Sequence, residues 1–170
     1  MADVYLGLGS NLGDRAANLR QALSRLGGLG SVLSVSSLYE TEPVGGPPGQ
    51  PPYYNACCHL QTGLAPHELL HFLKGLEREL GRREGPRWGP RPIDLDVLFY
   101  DDLALETPEL VLPHPRLHQR PFVLVPLSEI APGLRHPLLG LTVAEMRLRA
   151  GEQGVRRVAA PGWERDVGGA

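Results

Sequence analysis

Two aspartates one residue apart interrupt the apolar run Ile93-Asp94-Leu95-Asp96-Val97-Leu98-Phe99-Tyr100. In an extended strand alternate residues share a face. Ile93, Leu95 and Val97 then point into a core, and both acids point the other way. Their Cα atoms stand ~6.5–7 Å apart at the usual rise of ~3.3 Å per residue. Carboxylates so placed repel, and one tends to keep its proton unless a cation intervenes. An all-oxygen pair suits Mg²⁺, which takes one or two carboxylates and completes its shell with substrate phosphates and water. Two such ions ~3.5–4 Å apart form a recurrent clamp in phosphoryl chemistry. The plain alternative is a half-exposed strand that shows water an acidic face. The segment just upstream weighs against it. Residues 81–92 are rich in glycine and proline and carry Arg82, Arg83, Arg87 and Arg91. Metal on the oxygens and forked guanidinium donors on the developing charge are what a triphosphate needs.

A sheet must present that pair. Val4-Tyr5-Leu6-Gly7-Leu8 reads as a first strand, ended by the turn Gly9-Ser10-Asn11-Leu12-Gly13. Asp14 is placed to cap a helix with Ala16, Leu19, Leu23 and Leu26 on one stripe, and Gly27 supplies the stop. Residues 32–40 are β-prone and lead into a second strand. Residues 42–52 hold five prolines and three glycines, so they form a long surface loop of the kind that often carries function. A strand resumes over residues 54–61. Pro66 opens a helix running to about Arg82, with Leu69, Leu73, Leu76 and Leu80 as its buried stripe. After the aspartate strand come a turn at Asp101-Asp102 and the short apolar segment Leu110-Val111-Leu112. A short helix falls within 120–130, and a last one starts at Thr142, where Thr142-Val143-Ala144-Glu145 fits a capping box. The expected fold is α+β: a single domain with a ferredoxin-like β-α-β-β-α-β core, its largely antiparallel sheet flanked by helices. It covers residues 1–160, with 161–170 as a loosely held tail.

The chain of 170 residues is 42% hydrophobic and 21% charged, in the range of one globular domain. A net charge of -2 and a pI near 6.3 offer no basic field for nucleic acid or an anionic membrane. No apolar stretch approaches the ~20 residues of a membrane span, and the N-terminus lacks a basic-then-apolar pattern. A cytoplasmic protein is expected. Cys57 and Cys58 are neighbours on a strand, so they face opposite ways and read as packed thiols. His67-Glu68-Leu69-Leu70-His71 matches the zinc-protease pattern HExxH. Both histidines fall opposite the leucine stripe, however, and no third ligand is visible. The run from Gly7 to Gly13 narrowly misses the dinucleotide fingerprint, its third glycine one position late. Strand-to-helix turn glycines are the simpler reading.

Gly9-Ser10-Asn11, Tyr53 and Asn55 after the first loop, Trp88-Gly89-Pro90-Arg91, Asp94-Leu95-Asp96, Pro113-His114 and Arg120-Pro121-Phe122 occur in this order. Together they resemble the 6-hydroxymethyl-7,8-dihydropterin pyrophosphokinase family of folate biosynthesis, over about residues 3–150. The resemblance implies transfer of diphosphate from ATP to the hydroxymethyl group of 6-hydroxymethyl-7,8-dihydropterin, giving AMP. It implies that Asp94 and Asp96 bind two Mg²⁺ ions, and that Arg82 and Arg91 act with them in catalysis. Arg82, Arg91, His114 and Arg120 would contact the triphosphate. Trp88 would lie on a mobile loop closing over ATP, and Glu77 would lie near the nucleotide. Tyr53 and Phe122 would sandwich the pterin ring, with Asn55 and the backbone around Thr41 and Val44 reading its edge. The expected partners are ATP and the pterin, without nucleic acid or membrane, on a monomer. Lys74 stands where the family often has Gln, and Glu109, Val111 and Pro115 replace polar or basic neighbours near the nucleotide.

Overall fold

The computed structural model describes residues 1–43, 48–81 and 91–165. In chain order the elements are β1 (Ala2–Ser10), α1 (Arg15–Leu26), β2 (Ser31–Val35), β3 (Leu38–Thr41), β4 (Tyr53–Thr62) and α2 (Pro66–Glu79). They continue with β5 (Asp94–Tyr100), β6 (Leu105–Glu106), β7 (Val111–Leu112), α3 (Pro121–Ile130), α4 (Val143–Ala150) and β8 (Val155–Ala159). The main sheet runs β5-β1-β4-β3-β8, with β2 also on β4. Every pairing in it is antiparallel. The β-α-β-β-α-β order and antiparallel sheet of an α+β, ferredoxin-like domain are both present.

Two apolar layers sandwich this sheet. Val4, Leu6 and Leu8 of β1 alternate inward with Cys58 and Leu60 of β4 and Leu95 and Val97 of β5. They pack against Leu19, Leu23 and Leu26 of α1 and Leu69 and Leu73 of α2. On the opposite face Cys57, Leu98 and Phe99 meet Val123, Leu124 and Leu127 of α3 and Val143 and Met146 of α4. Capping follows the sequence: the Asp14 carboxylate accepts from Ala17 N, and Thr142 with Glu145 forms the capping box of α4.

Several boundaries differ from expectation. β1 extends through Ser10, so Gly9 and Ser10 are strand residues and not part of the turn. The β-prone stretch splits into β2 and β3 around the buried pair Ser36-Ser37. Side chains satisfy that break: Ser36 Oγ accepts from Cys57 N at 2.9 Å, and Glu129 accepts from both Ser37 N and Ser37 Oγ. α2 ends at Glu79 with Leu80 as its cap. Leu76 and Leu80 are only partly buried, whereas Glu77 is buried. The arginines of β8 hid that strand from a hydrophobic pattern, yet it pairs with β3. Residues 161–165 are not loosely held: Trp163 is buried in the α1 core and its Nε1 donates to Ser36 O at 2.8 Å. The two cysteines are free, buried thiols. His67 and His71 are exposed on α2.

Gly30 marks the tightest approach outside the cavity. A Cβ there would lie 2.0 Å from the carbonyl oxygen of Gln61, a backbone atom with little room to move. Gly30→Ala should therefore destabilise the fold by about 2–3 kcal/mol. A Cβ on Gly75 in α2 meets nothing within 4 Å, and Gly75→Ala should stabilise by about 0.5–1 kcal/mol. Urea unfolding midpoints of the two variants check both signs.

Candidate active site

The sheet face turned toward α3 carries the polar groups, and strand register sets their order. Asp94 lies beside Gly9, Gly9 beside Asn55, and Asn55 beside Tyr39. In the next row Asp96 lies beside Gly7, and Gly7 beside Cys57. Thr41 is opposite Tyr53. With neighbouring strands ~4.8 Å apart, Asp94 and Asn55 are about 10 Å apart across the sheet. Gly9 between Asp94 and Asn55, and Gly7 beside Asp96 in the next row, bring no side chain, so the space between acids and amide stays open. Within β5 the register steps from Tyr5↔Phe99 to Leu6↔Val97, leaving Leu98 as the extra residue of a bulge. Such bulges re-aim side chains beside functional sites. Here the step lies just past the acids.

A cavity of about 270 Å³ opens over these rows. Asp94, Asp96 and Arg91 line it from the β5 side, and Thr41, Tyr53 and Asn55 from the β4 and β3 side. His114 and Arg120 line it from the segment leading into α3, and Phe122 from the first turn of α3. Nine of the residues expected in the site are thus in one cavity. Glu77 is not in its wall: it is buried behind β5, where its carboxylate accepts from Leu95 N at 2.8 Å. Arg82, Trp88 and Val44 lie outside the described residues.

The charges are arranged with care for each other. Arg91 Nη1 donates to Asp94 Oδ1 at 3.2 Å, while Asp96 is exposed to the cavity mouth. Arg120 sits at the N-cap of α3, its guanidinium carbon 5.5 Å from the centre of the Phe122 ring. Burial lowers the Arg120 pKa, and the charge of Asp96 pulls against that shift. Burial, with Arg120 and Arg116 nearby, pushes the His114 imidazole down to about 4. His114 is therefore neutral near pH 7, able to donate or accept a hydrogen bond to a ligand without adding a charge. At the other end Thr41 Oγ1 donates to Asn55 Oδ1, and Asn55 Nδ2 donates to Leu8 O at 3.3 Å. Both bonds fix the amide's orientation. A second N–H and a second lone pair remain in its inventory for a flat, hydrogen-bonding ligand.

Sequence reasoning used Gly9 and Asn11 only as part of the resemblance and gave no side-chain role to Gly7, Gly9, Asn11 or Gln50. The glycines had a signal: two glycines two apart beside apolar residues mark a strand face that something approaches closely. Asn11 did not, because its work is visible only in space. Buried at 1% exposure, it accepts from Arg91 N at 2.7 Å and donates from its backbone to Arg91 O at 3.0 Å. Its Nδ2 also reaches Gln50 Oε1 and Pro51 O. One side chain thus joins Arg91 to the end of the first proline-rich loop.

The donor set fits a hard divalent cation. Among the described residues no three or more His, Cys, Asp or Glu gather into a closed metal cage. Two carboxylates beside an open cavity suit Mg²⁺, whose remaining positions go to phosphate and water.

Comparison with known proteins identifies a family. Residues 5–132 match the model of the 7,8-dihydro-6-hydroxymethylpterin-pyrophosphokinase (HPPK) family. A Bacillus subtilis 2-amino-4-hydroxy-6-hydroxymethyldihydropteridine pyrophosphokinase is 47% identical over 128 residues, covering 74% of this chain and 76% of that protein. The Aquifex aeolicus pyrophosphokinase of the same name is 40% identical over 147 residues, 86% of this chain and 91% of its own. The Dictyostelium discoideum folic acid synthesis protein FOL1 is 43% identical over 85% of this chain, which spans only 22% of that longer protein. In three dimensions the chain resembles a Plasmodium falciparum HPPK-DHPS crystal structure with pteroate, at a TM-score of 0.71 and 17% identity. That match covers 92% of this chain and 45% of the Plasmodium chain. The chain belongs to the HPPK family and has its pyrophosphokinase activity in folate biosynthesis, a family that works on Mg-ATP and hydroxymethyldihydropterin.

Gly9 gives a direct test of the open row between acid and amide. A Cβ there would stand 2.9 Å from Asn55 Nδ2 and 3.4 Å from the Tyr53 ring. Gly9→Ala should displace the Asn55 amide and, under the function proposed below, weaken pterin binding by about 10- to 100-fold. Nucleotide affinity should change little. Titration of the pterin and of an ATP analogue into the variant checks the split.

Proposed function

We propose that the two substrates lie side by side in this cavity, with Asp94 and Asp96 holding two Mg²⁺ ions against the phosphates of ATP. The observation that carries the reading is the shared face: the acid pair and the Tyr53–Asn55 end open into one cavity, with two glycines between them. Tyr53 and Phe122 stack on the faces of the pterin, each contact contributing about 0.5–1.5 kcal/mol beyond area burial. Asn55, held by Thr41, and the backbone near Val44 read the ring's edge. A ring lacking the matching donors and acceptors is rejected, because the amide would be left unpaired. Stacking aims the hydroxymethyl oxygen at the β-phosphorus; as that oxygen bonds to it the bond to the AMP oxygen breaks, AMP departs, and the hydroxyl proton passes to solvent. Arg91, Arg120 and Arg82 donate to the phosphate oxygens where charge develops, and His114 adds a neutral hydrogen bond. Trp88 and its loop cover the nucleotide.

Bound magnesium supplies charge neutralisation across the phosphate oxygens. Positioning and electrostatics suffice for phosphoryl transfer, and no side chain is assigned as a general base. The same reading takes the protein as a cytoplasmic monomer. Among the described residues no helix is long and apolar enough to cross a membrane.

Mixed with Mg²⁺, ATP and the reduced pterin, the protein should release AMP in step with pterin diphosphate. ADP as the nucleotide product would contradict the mechanism. Asp96 is exposed, so Asp96→Ala should leave the unfolding free energy within about 0.5 kcal/mol of wild type. It should also lower kcat by roughly 10³-fold.

A further inference from the structure

β5 is an edge strand of the main sheet, paired on one side with β1. The backbone groups on its outer side must find partners elsewhere. Helix α2 packs against β5, and its Glu77 supplies a partner for one of these groups. It is a charged residue at 5% exposure, a state that carboxylates rarely adopt without strong hydrogen bonding. Its Oε2 accepts from Leu95 N at 2.8 Å. Leu95 is the one residue between Asp94 and Asp96. The strand is therefore fixed from three directions at the midpoint of the acid pair. β1 holds it through Gly9 opposite Asp94 and Gly7 opposite Asp96. The Leu95 side chain is buried in the α1–α2 core, and Glu77 grips the main chain from outside.

We propose that Glu77 is a positioning residue for the metal-binding acid pair: by holding the Leu95 main chain it fixes the separation and tilt of Asp94 and Asp96. This rests on the reading that the two aspartates bind divalent ions. It moves Glu77 from a contact with the nucleotide to a support one layer behind the metal ligands. Two carboxylates that repel each other have every reason to splay when metal is absent. A buried anchor at the peptide between them resists that motion on the backbone, where both side chains originate. Residues that orient metal ligands in this way typically cost 10- to 100-fold in affinity when removed.

The test is Mn²⁺ binding, read by electron paramagnetic resonance in the presence of a non-hydrolysable ATP analogue. Wild type, Glu77→Ala, Glu77→Gln and Asp96→Ala are compared. Glu77→Ala should weaken Mn²⁺ binding by roughly 10- to 100-fold although both aspartates remain. Glu77→Gln keeps an oxygen that accepts from Leu95 N and should recover to within about threefold of wild type. A folded Glu77→Ala protein that is easier to unfold but binds Mn²⁺ normally would overturn the inference and leave Glu77 a structural residue only. If Glu77→Ala does not fold, the same donor can be removed by replacing Leu95 with its α-hydroxy acid, an ester for the amide. The same loss of Mn²⁺ binding is then expected, and unchanged binding would overturn the inference. Asp96→Ala separates the two levels. Normal Mn²⁺ binding in that variant overturns the acid-pair reading itself. Lost binding there together with normal binding in Glu77→Ala overturns only the role of Glu77.

Discussion

Electrostatic repulsion between Asp94 and Asp96 is the constraint around which this molecule is arranged. Two carboxylates two residues apart on an edge strand are unfavourable neighbours, and the surroundings hold them together instead of letting them part. The antiparallel pairing with β1 fixes their backbone, and the alternation of β5 buries Leu95 and Val97 on the far side. A one-residue slip in register would turn the acids into the α1–α2 core. The apolar cores on both faces of the sheet thus specify the charge geometry of the cavity as firmly as any direct contact.

The cavity itself depends on what β1 omits. Gly7 and Gly9 sit in the middle strand of the site, where larger side chains would fill the gap between acids and amide. Side chains also tie together the described residues at the loop ends. Asn11 ties Arg91 to Gln50 and Pro51, and Arg15 donates to Pro52 O at 2.8 Å while its guanidinium lies 3.8 Å above the Tyr54 ring. Proline-rich loops with side-chain anchors at their ends lose less entropy on ordering than glycine-rich ones alone.

The sequence made the acid pair legible because period-two alternation survives in an edge strand with one buried face. Helix starts were legible for a similar reason: Asp14, Pro66 and Thr142 act locally, and each stands where its cap chemistry requires. Features set by distant partners were hidden. β8 is a strand because β3 needs a neighbour, and its arginines mask that. Ser36 and Ser37 break a continuous β-prone run because Cys57 and Glu129 satisfy them from other strands and helices. Trp163 packs from a segment that reads as tail. Glu77 was expected near the nucleotide, and nothing in its sequence neighbourhood shows that its carboxylate accepts from Leu95 N, eighteen residues away.

Anomalous diffraction from crystals grown with Mn²⁺, a non-hydrolysable ATP analogue and the pterin tests the central claim most directly. The account predicts two manganese peaks about 3.5–4 Å apart, bonded to carboxylate oxygens of Asp94 and Asp96 and to phosphate oxygens. Peaks lying away from these carboxylates, or a nucleotide bound with both aspartates turned from its phosphates, would contradict it.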